Sequence, residues 1–207
     1  MNRLGTGFEK FPILAILRGL QPSNAEAVGR ALVTGGITAI EVPLNRPNAV
    51  DAIEILVNCC GNEAIIGAGT VVTTENVKDI KSVGAKFAVS PNVDHDVIRA
   101  TKENGMLSLP GVTTISEAYA AVSAGADIIK LFPCDGLPSN VVKAMSVVFP
   151  QNVPFVCVGG ITLDNIDGYR QVGAQGFGIG SALFKPDMLA DEVLARTLAF
   201  SKAYREL

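Results

Sequence analysis

Two charged residues lie inside short apolar runs, where a charged side chain is unusual. Glu41 belongs to the run 39–42 and Lys130 to the run 128–132. A lysine ammonium among apolar neighbours is costly unless it is paired or deprotonated, and a neutral lysine amine is a nucleophile. Because burial lowers a lysine pKa, Lys130 is a candidate for Schiff-base formation with a carbonyl compound. Glu41 would then move protons beside it as a general acid and base.

The alternative for the same two residues is a purely structural role. A buried Glu–Lys pair could hold the interior together, but such pairs stabilise a fold weakly when compared with apolar replacements. Alternation along the second predicted strand places Glu41 on the face opposite to its neighbours Ile40 and Val42. Since Ile and Val suit the face that packs against helices, Glu41 is predicted to point inward. We therefore favour the catalytic interpretation.

Two further polar residues follow apolar runs. Arg18 comes directly after the run 13–17, where a guanidinium suits bidentate capture of a carboxylate. A salt bridge at the rim would give the same pattern. Thr70 offers one hydroxyl and follows Gly67 and Gly69, which let the backbone approach a ligand closely. A tight turn would also explain these glycines.

Glycine-rich segments follow the last two predicted strands. They contain Gly159 and Gly160 in the first segment, and Gly180 and Ser181 in the second. Backbone N–H groups and helix starts of this kind bind anions without a lysine. In eight-stranded α/β barrels, the loops after strands seven and eight commonly form a phosphate site. The two segments predict such a site, with tight turns and helix N-caps as the alternative.

Eight short apolar runs alternate with helical segments along the chain. Three are 13–17, 64–68 and 155–158, and five follow a glycine that is typical of a helix C-cap, within 35–42, 84–90, 105–110, 125–132 and 173–179. Capping boxes are predicted at Ser23–Glu26 and Thr114–Glu117. The pattern predicts an α/β protein, a single-domain (β/α)8 TIM barrel over residues 1–207, with its site at the carboxyl ends of the strands. An open doubly wound sheet is the alternative, but no G-x-G-x-x-G motif follows the first strand.

Composition and charge exclude several classes of protein. The 207 residues are 48% hydrophobic and 18% charged, which excludes disorder. A net charge of −3 opposes nucleic acid as the main partner, and no apolar run is long enough to span a bilayer. Residues 1–10 show no secretory signal, so we expect a cytoplasmic protein with no membrane partner. The four cysteines and the single histidine lack the spacing of a zinc site.

Several of these segments together resemble the motifs of the bacterial 2-keto-3-deoxy-6-phosphosugar-acid aldolases. The similarity covers nearly the whole chain, and the motifs arrive in the family's order. The matching segments are 13–19, 41–45, 67–71, 90–92, 110–111, 130–133, 158–160 and 180–181. The resemblance implies a Schiff-base aldolase that uses no metal and no organic cofactor. It also implies a homotrimer, with a phosphorylated 2-keto-3-deoxy sugar acid and pyruvate as small-molecule partners.

The resemblance implies roles for individual residues. Lys130 matches the Schiff-base lysine, and Glu41 matches the general acid and base. Arg18 and Thr70 match residues that hold the pyruvate end of the substrate. Phe132 matches an aromatic residue that packs against the site. The glycine-rich loops match the phosphate binders Gly160, Gly180 and Ser181, with Gly159 beside them.

Two positions depart from the gluconate-type members of that family. Those members usually have Arg where this chain has Asn45 and Thr where it has Val158. Both departures resemble members that act on the galactonate epimer, and the two substrates differ in configuration at C4. We therefore predict a role in galactonate catabolism, with Asn45 and Val158 as specificity candidates and the gluconate epimer as the alternative substrate.

Two other functions are compatible with a phosphate-binding barrel. A sugar-phosphate epimerase would share the phosphate loops but would need no covalent lysine. A non-catalytic phosphosugar-binding protein would have no reason to place both Glu41 and Lys130 in strands. The two charged strand residues therefore favour an aldolase over either alternative.

Overall fold

The computed structural model describes residues 4–206 and shows parallel β-strands that alternate with α-helices. The strands are β1 (Ile13–Ile16), β2 (Ala39–Pro43), β3 (Ile65–Gly69), β4 (Phe87–Val89), β5 (Leu107–Leu109), β6 (Gly111–Val112), β7 (Ile129–Leu131), β8 (Phe155–Val158) and β9 (Phe177–Ile179). The helices are α1 (Gly5–Lys10), α2 (Pro22–Thr34), α3 (Ala49–Cys60), α4 (Thr74–Ser82), α5 (His95–Glu103), α6 (Ile115–Ala124), α7 (Ser139–Ser146), α8 (Ile166–Gln171) and α9 (Ala190–Glu206). A 3-10 turn at Cys134–Gly136 follows β7.

A single interruption explains why nine strand segments replace the eight that were predicted. β5 and β6 are separated only by Pro110, which has no N–H to donate to a neighbouring strand. The sheet order is β5-β4-β3-β2-β1-β9-β8-β7-β6, and the Lys130 N–H donates to the Pro110 carbonyl at 3.0 Å. The two ends of this order are thus one stretch of chain, and the sheet closes on itself. The predicted (β/α)8 barrel is confirmed, and the open doubly wound sheet is excluded.

Glycine ends the helical segment before five of the strands, as the sequence predicts. Each of these glycines has a positive φ, namely Gly36, Gly84, Gly105, Gly125 and Gly173. At Gly125, φ is 108°, and its N–H donates to the carbonyls of Ala121 and Val122 at the end of α6. Because residues with a Cβ rarely adopt this conformation, glycine stops the helix and turns the chain into the next strand.

One of the two predicted capping boxes is present. The Thr114 hydroxyl accepts from the Glu117 N–H, and the Glu117 side chain accepts from the Thr114 N–H at the start of α6. The box predicted at Ser23 is wrong, because α2 already begins at Pro22 with Gln21 as its N-cap. Proline at the first helical position is preorganised for the helix and places Ser23 inside the first turn.

Apolar side chains form one layer inside the barrel and another beneath the helices. The inner layer includes Leu14, Ile16, Ala39, Phe87, Val89, Leu109, Val156 and Val158. Ile40 and Val42 belong to the outer layer under the helices. Since Ala39 points inward and its neighbour Ile40 points outward, Glu41 faces the barrel interior as predicted. Within residues 4–206, no helix is long and apolar enough to cross a membrane.

Candidate active site

Glu41 is the middle residue of β2 and is buried inside the barrel. The residue is 2% exposed, and its Oε2 atom has no hydrogen-bond partner among the described residues. Neighbouring β3 provides the space, because a Cβ at Gly69 would overlap Glu41 Oε2. Burial raises the pKa of Glu41 to about 7, against the opposing effect of the positive charges of Lys130 and Arg18. Such a carboxyl can both accept and donate a proton at neutral pH.

Lys130 is the middle residue of β7 and is also buried, with 7% of its surface exposed. Burial lowers the pKa of Lys130, while the charge of Glu41 raises it and that of Arg18 lowers it further. Its Nζ lies 4.4 Å from the centroid of the Phe132 ring, so an aromatic face borders the amine. A lowered pKa supplies the neutral amine that attack on a carbonyl carbon requires.

Arg18 and Thr70 lie at the same end of the barrel as Glu41, after β1 and β3. Arg18 is exposed, and its Nη1 donates to Asn45 Oδ1 at 2.7 Å. Thr70 is half-buried and has a φ of 56°. A β-branched residue with positive φ is strained, and strain of this kind concentrates at functional sites. Both residues are therefore placed where a ligand at the carboxyl ends of the strands would lie.

A cavity of about 350 Å³ opens at this end of the barrel. Seven residues proposed from the sequence line it, namely Arg18, Phe132, Val158, Gly159, Gly160, Gly180 and Ser181. Glu41, Lys130, Thr70 and Asn45 are not among its lining residues. Phe132 connects the cavity with the amine, because its ring lines the cavity and also borders Lys130 Nζ.

The loops after β8 and β9 form the far side of the cavity. Gly159 and Gly160 have φ values of 97° and 66°, and a Cβ at Gly160 would overlap the Asp135 carboxylate. The Asn165 side chain donates to the Gly160 carbonyl at 2.7 Å, which fixes the loop. After β9, the Gly180 carbonyl accepts from the N–H groups of Leu183 and Phe184, so the chain makes one helical turn.

Lys185 was missed by sequence reasoning, which expected an anion to be bound here without a lysine. It is exposed and lines the cavity in the same loop as Ser181. Its position, four residues after the predicted phosphate binder Ser181, could have indicated Lys185 as a further anion-binding candidate. None of the described residues that line the cavity is Asp or Glu, so Arg18 and Lys185 make its wall positive. A positively charged wall of this kind favours an anionic ligand.

The described chain offers no obvious metal centre. Among residues 4–206, no group of three or more His, Cys, Asp or Glu side chains could hold a metal ion. The fold thus brings a buried amine and a buried carboxyl to the same barrel as a cavity whose wall carries Arg18 and Lys185.

Comparison with known proteins identifies the family to which this site belongs. The family model described as KDPG and KHG aldolase matches residues 6–199. The chain belongs to the KDPG and KHG aldolase family. The family indicated by the sequence motifs is thus confirmed, and the protein is an aldolase, a carbon–carbon lyase of carbohydrate metabolism.

Relatives and solved structures resemble this aldolase over nearly its full length. A protein of Rhizobium meliloti (strain 1021), described as a probable 2-dehydro-3-deoxy-6-phosphogalactonate aldolase, is 44% identical over 99% of this chain and 96% of its own length. A solved structure described as native KDPGal has a TM-score of 0.92 at 37% identity, covering 95% of this chain and 96% of that one. A KDPG aldolase from Legionella pneumophila, solved with pyruvate captured as a covalent carbinolamine intermediate, has a TM-score of 0.84 at 31% identity, covering 94% and 96%.

Proposed function

We propose that this aldolase reversibly cleaves 2-dehydro-3-deoxy-6-phospho-D-galactonate to pyruvate and D-glyceraldehyde 3-phosphate. The observation that carries the proposal is the pair Glu41 and Lys130, the middle residues of β2 and β7, which are both buried inside one barrel and each shift the pKa of the other. The description of the Rhizobium meliloti relative as an aldolase for this substrate supports the choice of epimer.

Lys130 begins the reaction. Its neutral amine attacks C2 of the ketone, a carbon–nitrogen bond forms, and a water molecule then leaves to give an iminium ion. The lowered pKa of Lys130 supports this step, because it increases the fraction of nucleophilic amine. The carbinolamine captured in the Legionella pneumophila enzyme is the kind of intermediate that precedes an iminium.

Glu41 moves the protons of the later steps. It takes the proton of the C4 hydroxyl through a water molecule as the C3–C4 bond breaks. The electron pair of that bond passes into the iminium, which becomes an enamine, and the aldehyde leaves. Glu41 then helps to return a proton to C3, and water hydrolyses the regenerated iminium to free pyruvate. The pKa of about 7 suits a group that both accepts and returns protons.

The two anionic ends of the substrate are held apart from the bond that breaks. Arg18 and Thr70 hold the carboxylate, and Phe132 packs against the reacting carbons. Gly159, Gly160, Gly180 and Ser181 offer backbone and hydroxyl donors to the phosphate. Lys185 adds a positive charge on the same side of the cavity. Binding energy from the remote phosphate thereby positions the reacting carbons.

Val158 is the candidate for discrimination between the two epimers. It lines the cavity with an apolar side chain and is 4% exposed. A Val side chain cannot donate a hydrogen bond to a substrate hydroxyl, so it favours the epimer whose C4 hydroxyl points elsewhere. The gluconate epimer remains the second candidate substrate, and pyruvate release from both epimers, measured side by side, decides between them.

Borohydride reduction in the presence of pyruvate tests the covalent step. We expect a stable pyruvyl adduct on Lys130 by mass spectrometry, and Lys130→Ala should lose both the adduct and the cleavage activity. Lys143→Ala, on the exposed surface of α7, is the matched control and should retain both. Normal cleavage by Lys130→Ala would rule out the Schiff-base mechanism. Phosphosugar binding without any adduct in the wild type would favour the epimerase or a non-catalytic binding protein.

We further propose that the aldolase is a cytoplasmic homotrimer that acts without a metal or organic cofactor, as the family resemblance implies. Light scattering on the eluting protein should give a mass of three chains. Dialysis against a chelator should leave the cleavage rate unchanged, and a loss that added metal restores would contradict this part of the proposal.

A further inference from the structure

Arg18 and Asn45 are joined across two neighbouring strands. Arg18 lies two residues beyond the end of β1, and Asn45 lies two residues beyond the end of β2. The Leu17 N–H donates to the Glu41 carbonyl at 2.9 Å, so the backbone pairing of the two strands continues to Leu17, the residue before Arg18. The 2.7 Å bond from Arg18 Nη1 to Asn45 Oδ1 therefore links the segment that follows β1 to the segment that follows β2.

The chemistry of the two groups fixes how they face each other. A guanidinium only donates, so the Asn45 amide must turn its oxygen toward Arg18 and its NH2 group away. One of the five guanidinium N–H donors is used, and an edge with two parallel donors remains for a carboxylate. Because the amide is neutral, this contact orients the guanidinium without cancelling its charge.

Only Arg18 of this pair reaches the cavity. Arg18 is a lining residue and Asn45 is not. Among residues 4–206, the Asn45 amide nitrogen has no hydrogen-bond partner, and the one hydrogen bond of its side chain is the contact with Arg18. An exposed arginine loses much rotamer freedom when it binds a ligand, and a partner that holds it beforehand reduces this cost.

We propose that Asn45 is a positioning residue, which holds the Arg18 guanidinium in the orientation that receives the carboxylate of the keto acid. The proposal rests on the proposed function, since it assigns the carboxylate to Arg18. It gives Asn45 a role in affinity for the pyruvate end that does not require any contact between Asn45 and the substrate.

Pyruvate trapping measures this role directly. In Asn45→Ala, the pyruvate concentration that half-saturates the borohydride-trapped adduct should rise roughly 3- to 10-fold, as expected when a flexible arginine must be ordered on binding. The maximal trapping rate should stay within about twofold of the wild type, because Lys130 is untouched. Asn62→Ala carries the same change on an exposed residue beyond α3, at the opposite end of the barrel, and should match the wild type.

A double-mutant cycle separates positioning from direct contact. In the Arg18→Ala background, Asn45→Ala should raise the half-saturating pyruvate concentration by less than about twofold, because nothing remains to be positioned. An equal effect in both backgrounds, or no effect in the wild-type background, would overturn the proposal. A wild type that traps no pyruvate would instead overturn the proposed function. The two failures are thus distinguishable.

Discussion

At the scale of single residues, the candidate site contains two ionisable groups, Glu41 and Lys130, that lie in apolar surroundings. Burial opposes the charged form of Glu41 and of Lys130, and each partly relieves the other. Both could be identified from the sequence, because a charge inside an apolar strand is conspicuous. The contact between Arg18 and Asn45 could not be identified from the sequence, because it joins side chains 27 positions apart and depends on the conformation of the segments after β1 and β2.

Burial of Glu41 should make the stability of the protein depend on pH. Folded Glu41 titrates near pH 7 and the unfolded group near 4.5, so the folded chain binds more protons between these values. Protonation of Glu41 therefore stabilises the folded state fully at pH values below the unfolded pKa, and this stabilisation is lost as the pH rises through 7. Between about pH 5 and about pH 8, the free energy of unfolding of Glu41→Gln should increase by on the order of 2–3 kcal/mol relative to that of the wild type.

Urea unfolding of both proteins at the two pH values measures this gain. The exposed Glu103→Gln is the matched control and should show no gain relative to the wild type. A constant difference between Glu41→Gln and the wild type at both pH values would contradict the burial argument.

Lys185 should contribute to binding of the substrate phosphate and not to the reaction at the carbonyl carbon. We expect Lys185→Ala to raise the KM for D-glyceraldehyde 3-phosphate, in condensation with pyruvate, by roughly 5- to 10-fold, because a charge-assisted contact is lost. The KM for unphosphorylated glyceraldehyde should not change. Steady-state kinetics with both aldehydes checks this, with the exposed Lys202→Ala of α9 as control. An equal change for both aldehydes would exclude a phosphate contact.

At the scale of elements, the sequence predicted correctly those features that depend on residues close together in the chain. The glycines that end helices and the apolar runs that follow them indicated the strands, because both depend on neighbouring residues only. Pro110 separates β5 from β6, because its missing N–H interrupts the ladder, and β6 lies beyond the end of the predicted run 105–110. The capping box at Ser23 was wrong because Pro22 starts the helix one residue earlier than the polar pattern suggested.

The two predicted capping boxes should differ in their energetic contribution. Thr114→Ala removes the acceptor of the Glu117 N–H and should lower the free energy of unfolding by about 1 kcal/mol. Ser23→Ala removes no cap and should change it by less than about 0.5 kcal/mol. Denaturant midpoints of the two variants compare them, and equal losses would mean that the Thr114 cap adds nothing.

At Gly173, the energetic cost of placing a residue with a Cβ in a positive-φ conformation can be measured without any steric clash. Its φ is 98°, and a Cβ there would meet no atom within 4 Å, so any loss in Gly173→Ala comes from the backbone alone. We expect a loss of about 1–2 kcal/mol in the free energy of unfolding. Gly136 also has open space but no positive φ, and Gly136→Ala should be nearly neutral. Similar losses in both variants would contradict this explanation.

At the scale of the whole molecule, net charge and local charge have opposite signs. The chain carries −3 overall, yet Arg18 and Lys185 line a cavity wall on which no described residue is acidic. Sequence composition could argue against nucleic acid as the main partner but could not locate this wall, because the wall is assembled from the loops after β1 and β9. The proposed attraction of an anionic substrate therefore belongs to one end of the barrel.

This local attraction should weaken as salt is added. Raising the salt concentration from about 20 to about 200 mM should increase the KM for the phosphorylated substrate by roughly two- to threefold, since exposed charges are screened. Lys185→Ala should show a smaller increase over the same range. Rates measured at both salt concentrations check this, and a salt effect of the same size in both proteins would assign the attraction to other charges.

The hydrogen that Gly69 carries in place of a side chain has a consequence for protein engineering. The Glu41 carboxylate, the proposed proton-transfer group, occupies volume that a side chain at position 69 would fill. Mutant libraries that randomise position 69 while keeping Glu41 should therefore yield inactive clones apart from glycine. To recover activity with another residue at position 69, a shorter acid would be needed at position 41, so the two positions must be varied together although they lie 28 positions apart in the sequence.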